Sequence, residues 1–382
     1  MITEKMFRKD AHIAQLSEIV IFLDNLRKPI TEKDRNIGIY PYYGANGIQG
    51  WIDEYIFDEE LVLLAEDGGH FNEPDRGIAY KITGKTWVNN HAHVLKATEK
   101  VDTNYLVSAL KNLDVTTYIN GTTRAKLTKS NAEQIKIPLP PISEQKRIAA
   151  ILDKADEIRR KREQAIAKLE QLAQSIFVEM FGDINTNNKN WKKLPLQKVC
   201  EVINDCPHST PKWTNEGYVA LRTSNLTAGS WKWDDKRFVS EETYYDRSKR
   251  GFLEYGDIVL SREGTIGIAA IVPKGVKYCM GQRLVQVRVS KNFLTASYLL
   301  RHLLCVLAPE KISNVMVGST SQHLNVKELR ELPIPLPPLA LQEEFAKRIN
   351  QIEKLKADNT TALANHNALF ASLQQQAFSG NL

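Results

Sequence analysis

Residues 135–182 and 332–380 are one element written twice, and any fold for this chain must accommodate both copies. Pro138, Pro140, Pro141, Gln145 and Phe181 recur as Pro335, Pro337, Pro338, Gln342 and Phe378 at a constant offset of 197. The same offset carries Gly121-Thr122-Thr123 onto Gly318-Ser319-Thr320, and Leu127 onto Leu324. A repeat this long without a register slip marks a tandem duplication.

Each Pro-rich run is expected to open a long helix, because proline cannot continue a helix yet suits its first turn. In the first copy Ile148, Leu152, Ala155, Arg159, Arg162, Ile166, Leu169, Ala173, Ile176 and Met180 recur at steps of four and three. The second copy places Phe345, Ile349, Ile352, Lys356, Asn359, Leu363, His366, Phe370, Leu373 and Ala377 at the same steps. Both are heptad seams. About 40 residues at about 1.5 Å each give a rod of roughly 60 Å. Two equal seams in one chain are expected to zip together. The helix-pairing residues are then Ile148, Leu152, Ile166, Leu169 and Ile176 facing Phe345, Ile349, Ile352, Leu363, Phe370 and Leu373. The alternative is two amphipathic helices packed separately on their own domains. Both seams turn polar at their middle, at Arg159 and Arg162 and at Lys356 and Asn359. Antiparallel pairing is expected to align those centres and so fix the register.

The rest of the chain bounds the function. With 382 residues, 42% hydrophobic and 25% charged, it has the composition of a soluble protein of two to three domains. No apolar run reaches the roughly 20 residues that cross a bilayer, and the first residues lack a signal-peptide core. Its four Cys lack paired metal spacing, which suits reduced thiols and a cytoplasmic location. Cys200, Cys206 and His208 lack an evident fourth ligand, so no metal site is expected. The net charge of +6 is uneven: residues 182–337 carry 22 Lys and Arg against 15 Asp and Glu, whereas residues 1–141 carry 17 against 19. The second globular segment therefore suits a polyanion on bulk charge, and the first does not unless it has a local basic face.

The fold class is α+β: a mixed, β-biased domain followed by a long helix, then the same again. The divisions are 1–140, 141–182, 183–337 and 338–382. Strands are expected at 37–43, 60–65, 78–82 and 86–95, with a helix near Tyr105–Leu113. In the second half Leu196–Val199 answers to Leu16–Ile19, Asp257–Ser261 with Arg262-Glu263-Gly264 to Glu60–Ala65 with Glu66-Asp67-Gly68, and Tyr298–Leu307 to Tyr105–Leu113. Asp205–Trp233 has no clear counterpart. The scaffold repeats while the loops diverge, as expected of two domains doing one job on different targets. No catalytic constellation is present: no phosphate-binding GxxxxGK[ST] or GxGxxG loop, no HExxH and no G-x-S-x-G elbow. His91 and His93 share a strand face and read as polar or half-buried strand residues.

The loops carry chemistry suited to nucleic acid, where cations grip phosphates and polar side chains read base edges. In the first half the candidates are Tyr42, Tyr43, Asn46, Trp51, His70, Thr122, Thr123, Arg124 and Lys126. In the second they are Ser209, Thr210, Lys212, Trp213, Arg222, Ser224, Asn225, Arg262, Gln282, Arg283, Ser319, Thr320, Ser321 and Gln322.

Pro-Leu-Pro-Pro-(Ile/Leu)-x-x-Gln at 138–145 and 335–342, each opening a long helix, resembles the DNA specificity subunit of type I restriction–modification systems. So do Gly-(Thr/Ser)-Thr-x-x-x-Leu-(Thr/Asn) at 121–128 and 318–325, and Gly264-Thr-Ile-Gly267. The resemblance spans the chain, although Glu66-Asp67-Gly68-Gly69 departs from the Gly-Thr-Ile-Gly pattern. It implies a non-catalytic subunit whose two target-recognition domains each read one half of a split double-stranded DNA site. It implies antiparallel helices that set the spacing and dock two modification subunits, with restriction subunits able to add. No cofactor is then expected in this chain. S-adenosylmethionine belongs to the modification subunit, and ATP and Mg to the restriction subunit. A coiled-coil scaffold without a DNA role, or the specificity subunit of another methylation-based defence complex, are the alternatives.

Overall fold

In the computed structural model the described residues are 3, 4, 7, 12–71, 73, 76–111, 113–120, 125–184, 186–308, 316–317 and 323–382. They form two compact units: residues 1–164 with 360–382, and residues 165–359. The division falls inside both long helices, Ile142–Phe181 and Leu339–Ser379, so each unit owns a part of each. Both helices begin directly after the last proline of their run, as the loss of a backbone donor at proline dictates.

Each unit is built on the same sheet. In the first unit the strand order is Val20–Phe22, Ala92–Ala97, Leu61–Ala65, Ala79–Ile82, all antiparallel. In the second it is Cys200–Asp205, Leu284–Val289, Ile258–Ser261, Ala269–Ile271. Leu61–Ala65 and Ile258–Ser261 are buried at every position, so they read as continuous apolar runs rather than alternating ones. A helix packs beneath each sheet, Thr103–Lys111 in one unit and Ala296–Val306 in the other. The expected strand 86–95 is two strands, Lys85–Val88 and Ala92–Ala97, because a turn intervenes.

The stretch Asp205–Trp233, which has no visible counterpart in the sequence, does have one in space. Tyr218–Leu221 pairs in parallel with Tyr278–Met280, as Tyr40–Gly44 does with Lys85–Val88. Asn89 N–H bonds Tyr43 O at 3.0 Å where Gly281 N–H bonds Leu221 O at 2.8 Å, so the turns at 89–91 and 281–283 are equivalent. Leu127 N–H donates to Glu66 O where Leu324 N–H donates to Arg262 O, both at 2.8 Å, which makes Glu66 and Arg262 one scaffold position.

The repeated glutamines tie each domain to its helix. Buried Gln145 accepts from Asp102 N–H at 2.8 Å and donates to Lys100 O and Pro140 O at 3.0 and 2.8 Å. Gln342 accepts from Thr295 N–H and donates to Phe293 O and Pro337 O, each at 2.9 Å. Beside them Tyr105 and Tyr298 donate to Pro138 O and Pro335 O.

Within each unit the two helix portions run antiparallel. Ile148 and Leu152 share the first core with Ala377 and Phe378, with Phe370 and Leu373 half-buried against it. Phe345, Ile349 and Ile352 share the second core with Ala173, Phe177 and Phe181, with Leu169 and Ile176 half-buried against it. Ile166 and Leu363 are half-exposed. Arg159 of the first polar centre and Lys356 of the second each find partners within their own unit. Arg159 is bonded to Asn367 at 2.7 Å and Asp156 at 2.9 Å and lies 4.7 Å over the Phe370 ring. Lys356 is bonded to Glu170 at 2.6 Å and Glu353 at 3.2 Å. These are the same contact twice, since Arg159, Asn367 and Asp156 map onto Lys356, Glu170 and Glu353 through the 197-residue repeat. Each of these cations is thus paired with an anion of its own unit, Arg159 with Asp156 and Lys356 with Glu170.

Candidate nucleic-acid interface

In the first unit the candidates separate by burial. Tyr42 is 1% exposed: its hydroxyl accepts from Ile30 N–H at 2.9 Å and donates to Ile30 O at 3.2 Å, and Arg35 lies 3.9 Å over its ring. Its strand turns this ring inward, so Tyr42 is a core residue and not a base reader. Tyr43 is half-buried against Tyr80. Trp51 is 52% exposed. Asn46 and His70 lie on a cleft of about 550 Å³ together with Arg76, Tyr80, Lys81 and Lys111. Asn46 donates to Gly68 O at 2.9 Å, and His70 Nδ1 lies 3.1 Å from both Glu73 and Arg76. This is a local basic face on a unit that lacks a cationic surplus, and sequence spacing could not foresee it because four separate segments build it. Thr122, Thr123 and Arg124 lie outside the described residues.

The same unit holds a charged knot. His93 is fully buried, with Nδ1 2.7 Å from the Asp24 carboxylate and Nε2 2.8 Å from Leu127 O. Asp24, Glu66 and His93 bring three ligand atoms within 4.8 Å of one another. Arg27 lies 2.6 Å from Glu66 and 3.4 Å from Asp24, and Lys126 lies 3.1 Å from Glu66. Burial works to raise both carboxyls, but His93 at Asp24 and Arg27 at Glu66 hold them below the usual carboxylate range. With two cations of the chain already on these anions, the donor set fits an internal ion network rather than a metal. Lys126 is drawn into that network while its side chain stays half exposed.

In the second unit Ser209, Thr210 and Lys212 are exposed on one loop. Thr210 Oγ1 lies 3.2 Å from Gln282 Oε1, and Gln282 also donates to His208 O, which joins this loop to the turn at 281–283. Arg283 on that turn is 60% exposed, adopts φ +66°, and pairs with Glu263 at 3.3 Å. Ser224 is exposed, Arg222 is half-buried and paired with Asp235, and Trp213 is half-buried with Arg237 5.4 Å over its ring. Arg262 is held 2.6 Å from Asp205 with little exposure. Asn225 is 1% exposed: it accepts from Arg222 N–H at 3.0 Å and donates to Lys232 O and Asp235 O. It closes a 3₁₀ turn and cannot reach a base. Ser319, Thr320, Ser321 and Gln322 lie outside the described residues.

The cysteines next to this surface are packing groups. Burial pushes the Cys200 thiol up to about 12 and that of Cys279 to about 11, and Cys206 Sγ accepts from Leu284 N–H at 3.3 Å. Reading the sequence missed Arg247, which is 5% exposed and among the described residues donates to four main-chain carbonyls, and Phe177, which is fully buried one position beyond the chosen seam residue Ile176.

A duplicated scaffold with two unlike polar loop sets defines the class: a two-headed recognition protein. The profile of the type I restriction modification DNA specificity domain matches residues 9–171 and again 188–366, and the chain belongs to that family. It is thus a specificity subunit, the DNA-recognition component that does no catalysis in type I restriction–modification. It is 29% identical over 359 residues to a Haemophilus influenzae chain provisionally described as a type I restriction enzyme specificity subunit, covering 91% of this chain and 89% of that one. The type I restriction enzyme MjaVIII specificity subunit of Methanocaldococcus jannaschii is 23% identical over 377 residues, covering 91% and 87%. The fold matches the crystal structure of the type I restriction–modification S subunit from M. genitalium with a TM-score of 0.59, at 13% identity and 97% coverage of both chains.

Proposed function

We propose that each unit reads one half of a bipartite, asymmetric duplex DNA site. The observation that carries this reading is the pairing of a repeated scaffold with non-repeated loops. Glutamine clamps, tyrosines and sheet order are common to both units, whereas Asn46, His70 and Trp51 in one have no match to Thr210, Gln282 and Arg283 in the other. The long helices set the separation of the two half-sites and dock two adenine-methylating modification subunits, to which restriction subunits add. S-adenosylmethionine sits in the modification subunit and ATP with Mg in the restriction subunit. DNA as the ligand, together with reduced thiols, suits a cytoplasmic protein, and no helix among the described residues is long and apolar enough to cross a membrane.

Exposed cations such as Lys212 hold phosphates and set the register, and the polar groups around them discriminate bases. Methylome sequencing of cells with and without the gene tests the reading. One split, non-palindromic methylated motif should disappear with the gene. An unchanged methylome, in cells that express the modification subunit, contradicts it.

A further inference from the structure

We propose that Arg247 is the positioning residue of the second reading surface: from inside the unit it locks two loops into one face. Its Nε donates to Met280 O at 2.7 Å, and Nη2 donates to Gly281 O at 2.8 Å and Pro207 O at 3.2 Å. Nη1 donates to Ser209 O at 3.1 Å. One guanidinium thus fastens the 207–209 segment to the 280–281 segment, four carbonyls in all. The exposed side of the same junction is strapped by Gln282, through His208 O and Thr210. The hydrogen bonds of Arg247 among the described residues all end on main-chain carbonyls, although Arg247 lines one cleft with Ser209, Thr210 and Lys212. It acts through the main chain that carries them.

The junction needs holding. Arg283 sits at φ +66°, a conformation that a residue with a side chain adopts only where its surroundings impose it. A Cβ at Gly281 would lie 2.4 Å from Leu221 O, so this turn also crowds the neighbouring strand. Fixed-geometry donors in a planar fork suit four converging carbonyls, and a lysine ammonium cannot span them. The first unit solves the same problem with another arginine: Arg27 donates to Ala92 O at 2.8 Å and to Asn90 O at 3.5 Å, at the equivalent turn. Arg27 comes from a different element than Arg247, and the duplication does not relate the two. Two unrelated arginines on equivalent turns, each taking different carbonyls of its turn, indicate that the turn itself is what must be fixed.

Base readout depends on side chains held to a fraction of an ångström, and each misread base pair costs on the order of a tenfold or more in affinity. Loosening the Arg247 junction should therefore relax reading of one half-site and leave the other intact. This rests on the reading that each unit recognises one half-site. The experiment uses the full chain assembled with its modification subunits, as wild type, Arg247→Lys and Arg247→Gln. Dissociation constants are measured on the methylome-derived target and on duplexes carrying a mismatch in either half. Both variants should lose about tenfold of discrimination against mismatches in one half while keeping the wild-type ratio for the other. Because a ratio is insensitive to the active fraction, a merely structural arginine would leave both ratios at their wild-type values and overturn the proposal. Failure of both variants to assemble would likewise make Arg247 a core residue and overturn it. Wild-type protein indifferent to mismatches in either half would instead sink the half-site reading itself.

Discussion

Lowering the pH from 7 to 4 should cost the second unit about 3 kcal/mol through one side chain, His302. The residue lies on the Ala296–Val306 helix, fully buried, with neither ring nitrogen hydrogen-bonded among the described residues and its ring 6.1 Å from that of Tyr298. Burial pushes its pKa down to about 4 from 6.5, and the positive charge of Lys193 acts in the same direction. The unfolded chain binds the proton as pH falls through 6.5, while the folded chain resists until about 4. Stability from this group is therefore intact above 6.5, is lost between 6.5 and 4, and changes no further below. At about 1.36 kcal/mol per pKa unit, the loss is about 2 kcal/mol at pH 5 and about 3 at pH 4. His302→Leu removes the titration and two orphaned ring nitrogens at nearly constant volume, so it should be neutral or stabilising at pH 7. Urea unfolding of wild type and variant at pH 7 and pH 5 isolates the effect, because all other carboxylates and histidines titrate in both proteins. The stability gap should widen by about 2 kcal/mol toward pH 5. A gap that stays constant refutes the reasoning.

Gln342→Ala leaves Thr295 N–H and two carbonyls without their shared partner, and should cost about 2–3 kcal/mol, read as a lower urea midpoint at unchanged slope. Glu170→Gln should lower the melting temperature more than Glu157→Gln. Glu170 lies between the buried Arg301 and Lys356, whereas Glu157 only pairs on the helix surface with Lys154 and Lys161. Burial works to raise the Glu170 carboxyl, but Lys356 and Arg301 hold it low, so its contribution is present at neutral pH and fades as acid protonates it. Lys212→Ala, in the complex with modification subunits, should weaken binding to cognate and non-cognate DNA alike. It should also reduce the salt slope by about one. A changed methylation motif would instead make Lys212 a base reader.

Much of the scaffold was legible because duplication prints each structural requirement twice. The constant offset marked both helices, their proline starts and the glutamines that turned out to be clamps. The heptad steps gave the buried face but not the stagger. Stagger is fixed where Phe378 packs on Tyr105, and Phe181 and Phe177 on Tyr298, and no local pattern encodes it. The offset falls from 197 at the glutamines to 193 at their partners Asp102 and Thr295, so the match of Tyr105–Leu113 to Tyr298–Leu307 was legible while the clamp contacts were not. The loops were legible only as chemistry. Tyr42 and Asn225 have the side chains of readers, but the first points inward from its strand and the second caps a turn, so residue type alone placed them wrongly. Arg247 reads as one more exposed cation in Asp246-Arg247-Ser248-Lys249-Arg250. Only the three-dimensional convergence of four carbonyls sets it apart.

The central claim is that the two units read independently, and a domain exchange tests it most directly. Residues 196–332 are replaced by the corresponding segment of another family member with a different target, keeping both clamping glutamines and both long helices. The chimaera is then expressed with the modification subunit and the methylome is sequenced. One half of the methylated motif should change to that of the donor while the other half and the spacing stay as they were. A motif altered in both halves would contradict the account.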